Sequence, residues 1–136
     1  MQIYSTGYTG KDINDLKPMI SALDAVLVDV RFSPTSQVLH WRQNYLKLLL
    51  KHKYLHIPNL GNRTFKEDKI TIQNLQLGVK TLLKLDENAV IFCACDVVEN
   101  CHRRLIIEAL NKQNVEVEEL KTWKTRDSAM QLNLFK

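Results

Sequence analysis

Ala89-Val90-Ile91-Phe92-Cys93-Ala94-Cys95, followed after a short turn by Cys101-His102-Arg103-Arg104, is the stretch on which the fold turns. The first segment is an apolar run of strand length. The second opens a helix expected over Cys101–Asn114, with Leu105, Ile106, Ala109 and Leu110 recurring on one stripe. A strand that reads as apolar on both faces, feeding directly into an amphipathic helix, belongs to a parallel sheet covered on both sides.

The same alternation runs outward from this stretch. Ile3–Ser5 is a short opening strand ending at Gly7. Asp12 is placed as an N-cap before Leu16, Met19, Ile20 and Leu23 at helical spacing. Ala25–Arg31 is a second apolar strand, broken by Pro34 and Ser36. A second helix is expected to turn Val38, Trp41, Tyr45, Leu48 and Leu49 inward and Arg42, Lys47 and Lys51 outward. Tyr54–Ile57 is a third strand, stopped by Pro58 and Gly61. After a polar loop at 62–69, Ile72, Leu75, Val79, Leu82 and Leu83 mark a third helix, weakened by Gly78. Val115–Leu120 closes the pattern as a fifth strand. The prediction is a single α/β domain over residues 1–120. It has a mostly parallel five-stranded sheet with helices on both faces, built from right-handed βαβ units, and residues 121–136 follow as a tail.

Composition bounds the function. With 45% hydrophobic and 25% charged residues, the 136-residue chain has the balance of a folded domain, not a disordered one. A formal net charge of +4 permits an anionic partner such as a nucleotide or nucleic acid without requiring one. Three cysteines crowded into 93–101 are no secreted disulfide framework. They read as reduced thiols of a cytoplasmic protein. Met1-Gln2-Ile3-Tyr4 has no signal-peptide character, and no apolar stretch is long enough for a membrane span.

In an open parallel sheet, ligands bind beyond the carboxyl ends of the strands. That places Gly7, Tyr8, Asp29, Arg31, Ser36 and the 95–104 segment at one rim. Cys101, His102 and Asp29 are the candidate catalytic groups. Arg31, Arg103, Gly7, Tyr8 and Ser36 are the candidate substrate-binding ones. The start of the last helix offers unpaired amides and a positive dipole end, suited to an anion and to stabilising a thiolate. The alternatives are bland: Cys93 and Cys95 as core packing, His102 and Arg103 as first-turn polar residues, Asp29 as half of a structural ion pair. A tyrosine-phosphatase loop needs arginine after five intervening residues. Counting from Cys93, Cys95 and Cys101 gives Glu99, Cys101 and Ile107 instead. No metal site is expected: no CxxC pair exists, and adjacent Cys101 and His102 are poorly disposed to share one tetrahedral ion. No cofactor is expected either.

Taken in order, the opening Ile3–Thr9, the Asp29–Ser36 segment, Tyr54–Gly61, and Cys93 with Cys101-His102-Arg103 resemble the prokaryotic family catalogued as domain of unknown function 488. The resemblance runs from the first strand to the last helix and implies the same fold and pocket. This chain has Tyr8 where members usually carry histidine, and Cys95 where members often carry an acidic residue. At the other end, Gln131-Leu132-Asn133-Leu134-Phe135 resembles the peptide by which bacterial replication and repair proteins dock on the DNA sliding clamp. There Gln131, Leu132, Leu134 and Phe135 would be the partner-binding residues. The functional expectation is a domain that binds or processes a phosphate-bearing substrate and is recruited to DNA by that tail. The alternative is a non-catalytic repair adaptor or protein-binding module.

Overall fold

The computed structural model describes residues 1–64, 66, 68–95 and 97–124. Its centre is a five-stranded sheet of β1 (Ile3–Gly7), β2 (Ala25–Asp29), β3 (Tyr54–His56), β4 (Asn88–Cys93) and β5 (Val117–Glu119). The strand order is β3-β2-β4-β1-β5, and every pairing is parallel. The helices are α1 (Leu16–Ala22), α2 (Gln43–Leu50), α3 (Leu75–Lys84) and α4 (Arg103–Lys112). Among the described residues, no helix is long and apolar enough to cross a membrane.

Alternation along the central strands divides the core in two. Ile3, Val26, Val28, Ala89, Ile91 and Cys93 face α3 and α4, where they meet Val79, Leu82, Ile106 and Leu110. Ala25, Leu27, Val90 and Phe92 face the opposite way, onto Leu16, Met19 and Ile20 of α1 and Leu46 and Leu50 of α2. Strands buried on both faces need apolar residues at both parities, which is why β2 and β4 read as unbroken apolar runs.

Three expectations shift. The second helix begins at Gln43, not Val38, because Arg42 takes an extended conformation (φ −75°, ψ 149°). That break resets the helical phase: Leu46 and Leu50 turn inward, while Leu48, Tyr45 and Val38 are exposed. The last helix starts at Arg103, so Cys101 and His102 lie just ahead of it. The packed region also continues past Leu120. Trp123 is only 2% exposed, sits against Trp41 and Phe92, and donates from Nε1 to Thr6 Oγ1 at 2.7 Å. Gly78 has a packing reason, since a Cβ there would lie 2.4 Å from Leu60 Cδ2.

Candidate functional site

The site forms where the carboxyl ends of β1, β2 and β4 meet the entry to α4. Gly7 ends β1, paired with Cys93 at the end of β4, and Asp29 ends β2, paired with Phe92. β1 and β4 lie so close beyond their ends that a Cβ on Gly7 would fall 1.5 Å from the Cys95 carbonyl oxygen. Only glycine permits that approach. The chain then stays zipped, with Tyr8 N–H donating to Cys93 O at 2.9 Å and Thr9 Oγ1 to Ala94 O at 2.6 Å.

Asp29 and Arg31 hold each other. Asp29 is fully buried, and its carboxylate accepts from Arg31 Nε (2.9 Å), Arg31 Nη2 (2.6 Å), the Arg31 amide (3.1 Å) and the Tyr54 hydroxyl (2.5 Å). This satisfies a charge that would be costly to bury alone. Burial works against the Arg31 charge, but the hydrogen bond and charge of Asp29 raise its pKa. Burial and the same carboxylate push Tyr54 well above the ordinary phenol range, so it stays a donor. The Arg31 guanidinium also lies over the Tyr8 and Phe92 rings, at 5.4 and 5.5 Å from their centroids.

Arg103 is wholly buried and equally committed. Nε donates to Cys93 Sγ (3.0 Å), Nη1 to Ser5 Oγ (2.6 Å) and Glu119 Oε1 (2.5 Å), and Nη2 to Cys95 O (2.8 Å). It braces the ends of β1, β4 and β5 beneath the cavity.

Above Arg103 the three thiols converge. Their sulfurs all lie within 4.8 Å of one another, and Cys93 Sγ is 3.0 Å from Cys101 Sγ. His102 stands beside them with Nδ1 3.6 Å from Cys101 Sγ. Its Nε2 is 2.8 Å from the Val30 carbonyl. A carbonyl only accepts, so Nε2 carries the proton, and in the neutral ring Nδ1 presents a lone pair to the sulfurs. Hydrogen bonds from Cys93 and Cys95 stabilise a Cys101 thiolate against the cost of burial, and the Cys101 pKa falls. Burial keeps Cys93 protonated, and the hydrogen bond to Cys101 does the same for Cys95.

A cavity of about 380 Å³ opens onto this floor. Tyr8, Arg31, Cys101 and His102 from the sequence-based set line it, with Cys93 and Cys95. Asp29, Gly7 and Arg103 sit behind the lining as supports. Ser36 is outside it, its Oγ accepting from Val38 N, and Ser33 and Thr35 stand in the wall instead. Gln131, Leu132, Leu134 and Phe135 lie outside the described residues. Sequence reasoning passed over Tyr54, Ser5 and Glu119. For the last two the signal was faint: two polar positions that register opposite each other on β1 and β5.

Comparison with known proteins agrees on the family. The sequence model of the domain of unknown function DUF488 matches residues 16–110, which takes in Asp29, Arg31, the three cysteines, His102 and Arg103. No curated protein and no solved structure matches. With a match over well more than half its length, and with the Asp-Val-Arg and Cys-His-Arg segments converging on one rim, the chain belongs to the DUF488 family.

Proposed function

We propose that the rim cavity binds a phosphate-bearing ligand, a nucleotide or a nucleic-acid end, with Cys101 and His102 as the groups it meets at the floor. The observation that carries this is the makeup of the wall above the thiols. It holds Arg31 and the exposed Lys69, the hydroxyl residues Ser33 and Thr35, and the amides Asn62 and Asn100, with Asp68 as its carboxylate among the described residues. Cations and neutral donors in a concave site suit phosphate oxygens. The basic balance of the chain (+4) favours approach of such a ligand. The Gln131–Phe135 peptide would bring the domain to DNA by docking on a sliding clamp, raising its local concentration there. A second reading, a non-catalytic adaptor, draws on the burial of Cys101 (1% exposed).

The test is direct titration of the full chain with inorganic phosphate, a nucleoside triphosphate and a short 5′-phosphorylated oligonucleotide. Saturable binding is expected, weakening with salt. Lys69→Ala should cost up to about fivefold, the size of an exposed charge pair, and Lys69→Glu more. Absence of saturable binding by all of these ligands ends the proposal. Cys101→Ser then separates turnover from simple binding. A pulldown with a bacterial sliding clamp, with and without residues 131–136, tests recruitment, and capture that survives the truncation removes that part.

A further inference from the structure

We propose that Cys93, Cys95, Cys101 and Nδ1 of His102 form a four-ligand site for a thiolate-preferring metal ion of the zinc(II) class at the floor of the cavity. The inference goes beyond the phosphate reading and does not need a ligand in the pocket.

The first support is the donor set. Three sulfurs within 4.8 Å of one another, beside an imidazole nitrogen, make up the Cys₃His combination that tetrahedral zinc sites use. The second is spacing. With zinc about 2.3 Å from sulfur and about 2.0–2.1 Å from nitrogen, a tetrahedron has edges of about 3.6 Å between S and N and about 3.8 Å between two sulfurs. The Cys101 Sγ to His102 Nδ1 separation is 3.6 Å. This removes the objection that neighbouring residues are ill placed to share an ion: the ring is turned so that Nδ1, not Nε2, faces the thiols. Cys93 and Cys101, at 3.0 Å, must part by about 0.8 Å to reach that edge length. A small change in side-chain torsion supplies this.

The third support lies around the ligands. Metal-binding histidines are held by a hydrogen bond from their other ring nitrogen, and here Nε2 donates to the Val30 carbonyl at 2.8 Å. Three thiolates and a dication leave a net charge of −1. Arg103, wholly buried with Nε 3.0 Å from Cys93 Sγ, places a positive charge and an N–H donor against one of the sulfurs. Access also exists, because all four residues line the cavity. Binding swaps thiol protons for the ion, so each thiol that ionises releases its proton to solvent and no electron moves.

The experiment uses the full chain, stripped with a chelator and kept under a phosphine reductant. Zinc(II) is titrated in competition with a chromophoric chelator, and cobalt(II) is added to a parallel sample. Equimolar binding is expected, with a thiolate-to-cobalt charge-transfer band and the intense visible bands of tetrahedral cobalt. Cys95 is the half-buried ligand, so Cys95→Ser is the variant least disturbing to the fold. It should weaken zinc binding more than about 100-fold, beyond the 10–100-fold typical of losing a supporting group. His102→Gln is the second variant, its folding checked by circular dichroism, and should lose the tetrahedral cobalt spectrum. Zinc affinity unchanged in Cys95→Ser, or an octahedral cobalt spectrum in the unmodified chain, overturns the proposal. These readouts contain no phosphate ligand, so they succeed or fail independently of the titrations above.

Discussion

At the scale of single residues, the site depends on polar groups that are fully buried and fully partnered. Asp29 shows how. A lone carboxylate at the end of a two-face-buried strand is untenable, and four donors make it tenable. Tyr54 is the partner whose removal is cleanest, because phenylalanine keeps the ring and deletes only the donor. Tyr54→Phe should lower stability by about 1.5–3 kcal/mol, the range for a hydrogen bond to a charged group. Urea denaturation measures it, and an unchanged midpoint would mean that Arg31 alone satisfies the carboxylate. How far this was legible follows from the residues themselves. Asp29, Arg31, Cys101 and His102 stand out because charged or nucleophilic side chains at strand ends and helix starts have few structural excuses. Tyr54 and Ser5 do not stand out, because a tyrosine or serine in a strand is ordinary until its partner is known. Arg103 was legible as important but not in its direction: sequence gives a helix start, while coordinates show a guanidinium turned under the sheet edge.

At the scale of elements, strands were easier to read than helix phase. β2 and β4 announce themselves by apolar residues at both parities, and both were placed within a residue or two of their observed ends. The helix after β2 was misphased, since its apolar content (Val38, Leu39, Trp41, Tyr45, Leu46, Leu48, Leu49, Leu50) fits more than one stripe. The extended Arg42 decides between them, and nothing local in the sequence signals it. The structure makes the resolution measurable. Leu46 has no exposure, whereas Leu48 is 78% exposed. Leu46→Ala should therefore cost about 2–5 kcal/mol, and Leu48→Ala should stay within about 0.5 kcal/mol of the parent. A denaturation series on the two variants checks it, and equal losses would restore the original phase.

At the scale of the whole molecule, strand order does the assembling. Because β4 lies between β2 and β1, the Asp-Val-Arg segment and Gly7-Tyr8 flank the cysteine strand from opposite sides, and α4 closes the gap from one face. The other face is closed from a distance in sequence. Trp123 comes back beneath the β1 end, anchored on Thr6 and packed against Trp41 and Phe92, while Tyr8 stacks on Trp41 at 4.6 Å. The cavity wall at Tyr8 thus leans on Trp41, which is backed in turn by Trp123, an indole that the sequence reading assigned to the tail. The sequence reading ended the packed domain before Trp123 because a single tryptophan among Lys121, Thr122 and Lys124 carries no periodicity. Trp123→Ala should cost about 3–5 kcal/mol, the range for emptying a large buried aromatic site. It should also loosen the Tyr8 wall, so a loss of phosphate-ligand affinity is expected to accompany the loss of stability. Chemical denaturation and ligand titration of the same variant read both effects. Stability within about 0.5 kcal/mol of the parent, the range of surface substitutions, would mean that the domain closes without the Trp123 indole.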